Sequence, residues 1–407
     1  MSLIKSNNVG SSGDGPFYDD VAITSLRCDA ESNPKLVANG ISGNRKTWTW
    51  SCWVKRSSLG SAHIVFNVGV TGTDEIDFHF TAADQFIISD RGGHNLKTTQ
   101  LFRDTSAWYN LVVVMDTVQS GVTFDSANAL KLYVNGVRVT SFASGTSLPD
   151  ENDVFSVNHT RIHHIATRNL DDNDFAGYLA EMNLIDGIAI GETNGYLDEF
   201  GKLKNGVWVP KDTSGLTFGN NGFRLQFKEN AVGTGGDATI GADTSGKNHD
   251  FTSSGITVSD CAMPDSPENN FCTLNPLANN NFGSAHAAVH TEGSLKAVAS
   301  GTSASHFYGT FRINDFLTKG CYFEARIIRL DPSRFYFGAI DPLSYTGAAV
   351  ASYQNTQKAV MNQQNRIFSN ANTGGVVTFA PNSMVGGEII KNNDIVGVAI
   401  KGDNVWF

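Results

Sequence analysis

The sequence lacks the marks of an exported, membrane-spanning or disulfide-bonded protein. Its first 15 residues are polar and rich in Gly and Ser, without the apolar stretch of a secretory signal. No run of about 18 apolar residues occurs, which argues against a transmembrane helix. The five cysteines are odd in number, widely spaced and without a CxxC pair. This pattern argues against a zinc site and predicts a chain without disulfides, made in a reducing compartment.

Charge is also scarce. Asp, Glu, Lys and Arg make up 17% of the chain, against a usual share of about 25%. The net charge is −10, and Lys and Arg nowhere form the basic run that a nucleic acid partner requires. We therefore expect an acidic surface, no nucleic acid partner and no membrane insertion.

Several common catalytic motifs are missing as well. The chain contains no GxxxxGK[ST] phosphate loop and no G-x-S-x-G nucleophile motif. It also has no convincing amphipathic helix. In their place it has 41 glycines and many Asn, Thr and Ser residues, which favour tight turns. The composition predicts an all-β protein of short strands, with less than about a tenth of its residues helical.

Three segments give the strongest strand signals. Residues 47–54 (TWTWSCWV) alternate, with Trp50 and Cys52 on one face and Trp53 on the other. Residues 111–115 (LVVVM) are continuously apolar, which predicts a strand buried on both faces. Between two further apolar segments, Asn135-Gly136 predicts a type I′ hairpin with both residues at positive φ. Further strands are predicted at 177–186, 223–227, 321–328, 335–340 and 395–400, and a loop at 234–248.

The first half of the chain resembles concanavalin A-like, laminin G-like jelly rolls. Four short motifs occur in the order seen in that family and together cover about 21–190. They are 48–56 (WTWSCWVKR), 103–109 (RDTSAWY), 131–136 (KLYVNG) and 177–181 (GYLAE).

The second half resembles a SPRY domain, and the segment between the halves is similar to a junction in structural proteins of tailed phages of marine bacteria. The SPRY-like motifs are 320–324 (GCYFE), 394–400 (DIVGVAI) and 404–407 (NVWF); the junction motifs are 265–271 (DSPENNF) and 273–277 (TLNPL).

The resemblance implies two tandem antiparallel jelly-roll-like β-sandwiches, laminin G-like and then SPRY-like. A SPRY sandwich has another strand after the W-F position, so the second sandwich is expected to be C-terminally incomplete or closed by another chain. The expected organisation is a Gly/Ser-rich N-terminal arm at 1–20, a laminin G-like jelly roll at 21–190, a strand-and-loop connector packing on it at 191–269, and a SPRY-like sandwich at 270–407.

One strand carries a pattern reminiscent of an enzyme. In 73–80 (TDEIDFHF), alternation places Glu75, Asp77 and His79 on one face. Laminarinase-like hydrolases use a Glu-x-Asp-x-Glu strand of this fold, and here His79 stands where the second catalytic carboxyl would be. We interpret the segment as a polar strand edge facing solvent, with a hydrolase as the alternative.

Other candidate sites have ordinary structural explanations. Asp171, Asp172 and Asp174 form an acidic turn, and Asp243, Asn248 and Asp250 form a similar cluster in a later loop. Either loop is a candidate for Ca²⁺, although Asp, Asn and Gly also form plain turns.

Nearby histidines and strand aromatics are the other candidates. Adjacent His163 and His164 point to opposite faces of a strand and therefore make a poor metal pair. Trp53, Trp108 and Tyr133 could stack on sugars, but strand aromatics more often pack in a sheet. No catalytic, cofactor-binding or metal site is predicted.

The family resemblance therefore implies a non-enzymatic virion protein of the tail-fibre or appendage type, made in the bacterial host cytoplasm. It would mediate contacts with host-surface glycan or with other virion proteins. A capsid decoration or head-fibre protein is the alternative. A homo-oligomer is expected, a trimer if the protein is a fibre, because the polar arm at 1–20 needs a partner surface to become ordered.

Overall fold

The computed structural model describes residues 17–70, 74–90, 92–277, 288–299, 307–311, 318–328, 336–340, 358–362, 367–369, 391–401 and 404–406. The described residues form a nearly all-β structure with antiparallel sheets, as predicted. Their helices are one short α-helix, α1 (Ser126–Ala129), and the 3-10 helices Ala30–Ser32 and Val258–Asp260. None of these helices is long and apolar enough to cross a lipid bilayer.

The chain divides into two compact units. The larger one ends at Pro276 and also includes His290–Ala297. The smaller one includes the described residues from Val298 onward. The arm predicted at 1–20 lies outside the described residues up to position 16.

A seven-stranded antiparallel sheet, called the back sheet here, forms one layer of the larger unit. In spatial order its strands are β1 (Leu26–Cys28), β12 (Gly177–Asp186), β3 (Thr47–Arg56), β8 (Tyr109–Asp116), β9 (Leu130–Val134) and β10 (Val137–Arg138), while β15 (Phe223–Leu225) also pairs with β12.

A second seven-stranded antiparallel sheet, the front sheet, forms the other layer. In spatial order its strands are β16 (Thr252–Ser254), β2 (Lys35–Asn39), β11 (Ile162–Ile165), β4 (His63–Val70), β5 (Asp74–Phe80), β6 (Gln85–Asp90) and β7 (Asn95–Leu101).

Aromatic side chains fill the space between the two sheets. Trp50 of β3 stacks on Phe66 of β4 with ring centroids 5.8 Å apart and meets Phe78 of β5 edge-on at 5.0 Å. Cys52 lies in the same core, and Trp53 points to the other side of the back sheet. The predicted alternation of residues 47–54 is confirmed.

The outer face of the back sheet is also covered, which explains the continuous apolar strand. In β8, Leu111 and Val113 face the core between the sheets. Val112 faces outward and packs with Phe200 and Phe218, which follow the first jelly-roll strands in sequence. The prediction that residues 111–115 are buried on both faces is confirmed.

Residues after 190 contribute to both sheets as well as covering one of them. β15 pairs with β12 of the back sheet, and β16 pairs with β2 at one end of the front sheet. A separate hairpin, β13 (Gly201–Lys204) and β14 (Val207–Pro210), turns at Asn205-Gly206. The first sandwich therefore includes strands from the segment expected to be a connector.

The Asn-Gly turn between β9 and β10 has the predicted geometry. Asn135 and Gly136 have φ values of 50° and 75°, which a type I′ turn requires. The strand predicted at 177–186 is confirmed as β12, and much of 234–248 is irregular as predicted.

The interpretation of 73–80 as a solvent-facing strand edge is wrong. β5 lies inside the front sheet, between β4 and β6. Glu75 has no exposed surface and Asp77 is 7% exposed. Alternation identified which side chains share a face, but it could not show that this face is covered.

In the smaller unit, strands occur where the SPRY-like motifs predict them. Cys321, Phe323 and Ala325 of one strand pair with Ile400, Val398 and Val396 of another. The remaining described strands form three small sheets: β17 (Ala288–Thr291) with β18 (Lys296–Ala299); β19 (Cys321–Arg326), β23 (Ile395–Lys401) and β24 (Asn404–Trp406); and β20 (Tyr336–Ile340), β21 (Lys358–Asn362) and β22 (Ile367–Ser369).

The predicted incompleteness of the SPRY-like sandwich concerns the last residues of the sequence. β24 ends at Trp406, and Phe407 lies outside the described residues. The expectation of an incomplete SPRY-like sandwich therefore stays a prediction.

Candidate functional site

A buried polar cluster lies on the outer face of the front sheet. Asn67 of β4 is directly opposite Asp77 of β5, and its amide nitrogen donates to Asp77 Oδ1 at 2.8 Å. The same nitrogen reaches Glu75 Oε1 at 3.3 Å. The three residues flagged on β5 by sequence thus share one face, and Asn67 holds two of them together.

The loop 166–175 docks beside this cluster. It closes on itself through Phe175 N–H, which donates to Ala166 O at 2.7 Å, and it binds β4 through Ile64 N–H and Asn173 O at 2.7 Å. Within the loop, Arg168 forms an ion pair with Asp172.

Burial and the charge of Arg168 together lower the pKa of His79 in this cluster. Burial is the larger of the two causes, and the pKa of His79 falls to about 4. The hydrogen bond to Asp172, with smaller contributions from Asp77 and Glu75, raises the pKa of Arg168. His79 is therefore neutral near pH 7 and cannot act as a general acid there.

The exposure of Glu75 and Asp77 can be compared with what glycoside hydrolysis requires. Glycosidases need two carboxyl groups on either side of the scissile bond, in contact with substrate. Glu75 and Asp77 have almost no exposed surface, and His79 stands where the second catalytic carboxyl of that strand would be. The arrangement supports a structural polar cluster under a loop.

Basic side chains neutralise two carboxylates of the first predicted acidic turn. Asp171 accepts from Lys35 Nζ at 2.7 Å, and Asp172 is paired with Arg168. Asp174 is buried, and burial raises the pKa of its carboxyl group. Among the residues described, no group of three or more His, Cys, Asp or Glu side chains is placed to hold a metal ion.

In the second acidic loop, which contains Asp243 and Asp250, the carboxylates accept hydrogen bonds from backbone N–H groups. Asp243 accepts hydrogen bonds from the backbone N–H groups of Arg224, Ser245 and His249 at 2.8–2.9 Å. Asp250 Oδ1 accepts from the backbone N–H of Asp243 at 2.8 Å. The carboxylates thus fix the turns, as these residue types commonly do.

The adjacent histidines point to opposite faces, as predicted. His163 lies near Phe66 of the core, with ring centroids 5.9 Å apart, and its Nδ1 contacts Arg161 O. Burial lowers its pKa to about 4. His164 is directly opposite Asn67 of β4, which places its side chain on the outer face of the sheet, and burial lowers its pKa.

The three aromatic residues considered for sugar stacking are packing residues. Trp53 and Trp108 belong to one buried cluster with Tyr178. Tyr133 is buried, and its hydroxyl donates to Glu192 at 2.8 Å. None of the three presents an exposed ring face to a ligand.

Sequence reasoning missed the buried anchor of the junction. Lys55 of β3 has no exposed surface, and its Nζ donates to Asp265 Oδ2, Asn270 Oδ1 and Phe271 O at 2.7, 2.8 and 2.9 Å. Trp108 Nε1 donates to the other oxygen of Asp265 at 3.1 Å. The junction motif is therefore fixed to the outer face of the back sheet.

A second contact holds the segment His290–Ala297 on the same sandwich. Arg27 Nη2 donates to Glu292 Oε2 at 2.8 Å, and the Tyr178 hydroxyl donates to Gly293 O at 2.9 Å. These contacts join parts of the chain more than a hundred residues apart, so local sequence patterns could not reveal them.

Trp208 was also missed. It lies on β14, stacks on Tyr196 with ring centroids 6.0 Å apart, and covers the predicted hairpin turn. A Cβ atom on Gly136 would lie 2.2 Å from Trp208 Cη2. The Asn205-Gly206 pair predicted the hairpin that carries Trp208, but gave no sign of what that hairpin packs against.

Comparison with known families agrees with the fold. Residues 30–189 match the family model of the concanavalin A-like lectin/glucanases superfamily. This confirms the predicted laminin G-like, concanavalin A-like jelly roll for that segment. No curated protein matches the chain.

Solved structures with some similarity include three from bacteria or a phage. A Bacteroides ovatus protein to which carbohydrate binding has been attributed is 16% identical, with 58% of this chain and 60% of that chain covered and a TM-score of 0.37. The CBM40 of the Ruminococcus gnavus IT-sialidase is 11% identical, with 38% and 89% covered and a TM-score of 0.27. Tailspike protein 2 of the Escherichia coli O157:H7 bacteriophage CAB120 is 13% identical, with 40% and 22% covered and a TM-score of 0.28.

Proposed function

We propose that this chain is a non-enzymatic structural protein of a phage virion, of the tail-fibre or appendage type, that contacts host-surface glycan or a neighbouring virion protein. The order of the laminin G-like, junction and SPRY-like motifs along the sequence supports the virion assignment. The jelly-roll fold supports a binding role, since the matching superfamily includes lectins.

The burial of Glu75 and Asp77 is the observation that carries the non-enzymatic part of the proposal. These are the carboxylates that the pattern on β5 offers for glycoside hydrolysis, and they are 0% and 7% exposed. A nucleophile or general acid must reach the glycosidic bond. Side chains in this position stabilise the sheet and leave an adjacent glycan intact.

The anchored junction supports the structural part. Lys55 donates to three acceptors of the 265–271 segment in a buried site. Such a site holds the segment that leads toward the SPRY-like half in one position on the sandwich. A segment held in this way suits a structural protein.

Partners and location follow from the same proposal. The chain would be made in the host cytoplasm and built into the virion as a homo-oligomer, a trimer in the case of a fibre. No cofactor is required for such a role.

Gold-labelled antibody against the chain, imaged on purified particles by electron microscopy, tests the location. Label at the tail or another appendage is expected. Label distributed over the capsid would identify a decoration or head-fibre protein, and unlabelled particles with an intact epitope would contradict the virion assignment.

A glycan array tests the ligand. Retention on a subset of bacterial surface glycans would support the host-contact role. An array without binding, combined with labelled appendages, would assign the contacts to virion proteins instead.

A further inference from the structure

Three side chains with complementary chemistry meet in the buried anchor. Lys55 Nζ is 2.7 Å from Asp265 Oδ2 and 2.8 Å from Asn270 Oδ1. The carbonyl carbon Cγ of Asn270 is one C=O bond further, so it lies within about 4 Å of the amine nitrogen. An amine, an amide and a carboxyl group thus occupy one site.

The environment favours the neutral forms of the acid and the base. Lys55 has no exposed side-chain surface, and the side chain of Asp265 is 6% exposed. Burial lowers the pKa of Lys55 and raises the pKa of Asp265. Trp108 donates to Asp265, and Lys55 Nζ is 5.8 Å from the centre of the Tyr178 ring, so aromatic groups surround the pair.

We propose that Lys55 Nζ and Asn270 Cγ become joined by an intramolecular amide bond in the folded protein, with Asp265 carrying the proton. The geometry assigns a role to each group: Lys55 is the nucleophile, Asn270 the acceptor and Asp265 the acid and base. Nothing in this inference depends on the proposed virion role.

The reaction exchanges one amide for another. The Lys55 ammonium first transfers a proton to Asp265, which leaves a neutral amine. Its lone pair attacks Asn270 Cγ, the new C–N bond forms, and the carbonyl electrons move onto Oδ1.

The intermediate then collapses. Asp265 donates its proton to Nδ2 and takes one from the attacking nitrogen. The electron pair on Oδ1 re-forms the carbonyl as the Cγ–Nδ2 bond breaks, and ammonia leaves. The leaving Nδ2 already donates to Ser106 O at 2.7 Å, away from the incoming amine. The step is redox-neutral and needs no co-reactant.

Proximity is the main source of the rate. Amines and amides do not react in water at an appreciable rate, but groups held in contact gain effective concentrations of about 10⁵ M or more. The folded chain holds the two groups together permanently, so even a slow reaction reaches completion.

Intact-mass spectrometry and peptide mapping of the full chain test this directly. We expect a chain lighter than the sum of its residues by one ammonia, and a branched tryptic peptide in which Lys55 is linked to Asn270 and is no longer cleaved. A full sequence mass would overturn the proposal. So would an ammonia loss with only linear peptides, which indicates a succinimide, or a water loss with the link at Asp265.

Variants test the individual roles. Asn270→Ala and Lys55→Arg should each abolish the ammonia loss, and the neighbouring Asn269→Ala should retain it. Asp265→Ala should abolish it as well; a folded Asp265→Ala chain that still carries the branched peptide would overturn the proton-carrier role. If the variants do not fold, the branched peptide in the unaltered chain still decides the question.

Discussion

Position 136 requires glycine for two separable reasons. Its φ of 75° is in the left-handed region, and Trp208 leaves no space for a Cβ atom. Gly206, in the second Asn-Gly turn, has a φ of 81° and nothing within 4 Å of a Cβ atom. The two glycines therefore form a matched pair.

Gly206→Ala should lower the free energy of unfolding by about 1 kcal/mol, the cost of the backbone conformation alone. Gly136→Ala should cost roughly 1–3 kcal/mol more, since Trp208 must move. Urea unfolding of both variants measures the difference. Equal losses would show that Trp208 does not pack on the turn as described.

Glu181 is the residue with the clearest pH dependence. It lies at an irregularity of β12, with a φ of 43°, and contacts Arg224 at 3.3 Å. Burial raises its pKa to about 7 although Arg224 opposes the shift. The folded state therefore holds this proton more tightly than the unfolded state, and stability falls as the pH rises from about 4.5 through 7.

Glu181→Gln should remove this contribution. Relative to the unaltered protein, the variant should gain stability between pH 4.5 and 7, by at most roughly 3 kcal/mol. Denaturant unfolding of both proteins at several pH values gives the difference, in which other titrating groups cancel. A difference independent of pH would mean that Glu181 is ionised throughout.

At the scale of elements, local sequence patterns predicted the strands well. They did not predict which other parts of the chain pack against those strands. The alternation in β3 and the Asn-Gly turn after β9 depend on neighbours in sequence, so they could be predicted. The cover over β5 comes from the loop 166–175, about ninety residues away. Likewise, β15 and β16 join sheets whose other strands lie much earlier in the sequence.

Contacts between distant parts of the sequence were also missed at the candidate site. Sequence correctly placed Glu75, Asp77 and His79 on one face, but Asn67 and Arg168 joined them only through the fold. Lys55 was visible as part of a family-like motif, while its partner Asp265 lies 210 positions further on. Such pairings require the tertiary structure.

The buried Lys55–Asp265 pair of the junction anchor can be compared with the exposed Lys35–Asp171 pair. Asp265→Ala should destabilise the larger unit by about 3–5 kcal/mol, because the variant lacks the proton carrier for the amide bond and keeps Lys55 as a buried amine without its counter-ion. Asp171→Ala, which removes the exposed partner of Lys35, should cost less than about 1 kcal/mol. Thermal or urea unfolding compares them, and similar losses would indicate that the anchor is hydrated in solution.

At the scale of the whole molecule, assembly is the property that the proposed role requires. Sedimentation equilibrium of the purified 43.8 kDa chain should give a multiple of that mass, three times in the case of a fibre. A monomer at micromolar concentration would contradict the homo-oligomer and leave only attachment to another virion protein.

The function proposed for this jelly roll is binding without catalysis. Its most direct test is a reducing-end assay on β-glucans and bacterial surface polysaccharides, with the unaltered chain and Glu75→Gln measured side by side. We expect no release of reducing ends from either protein. Release by the unaltered chain that disappears in Glu75→Gln would contradict the claim.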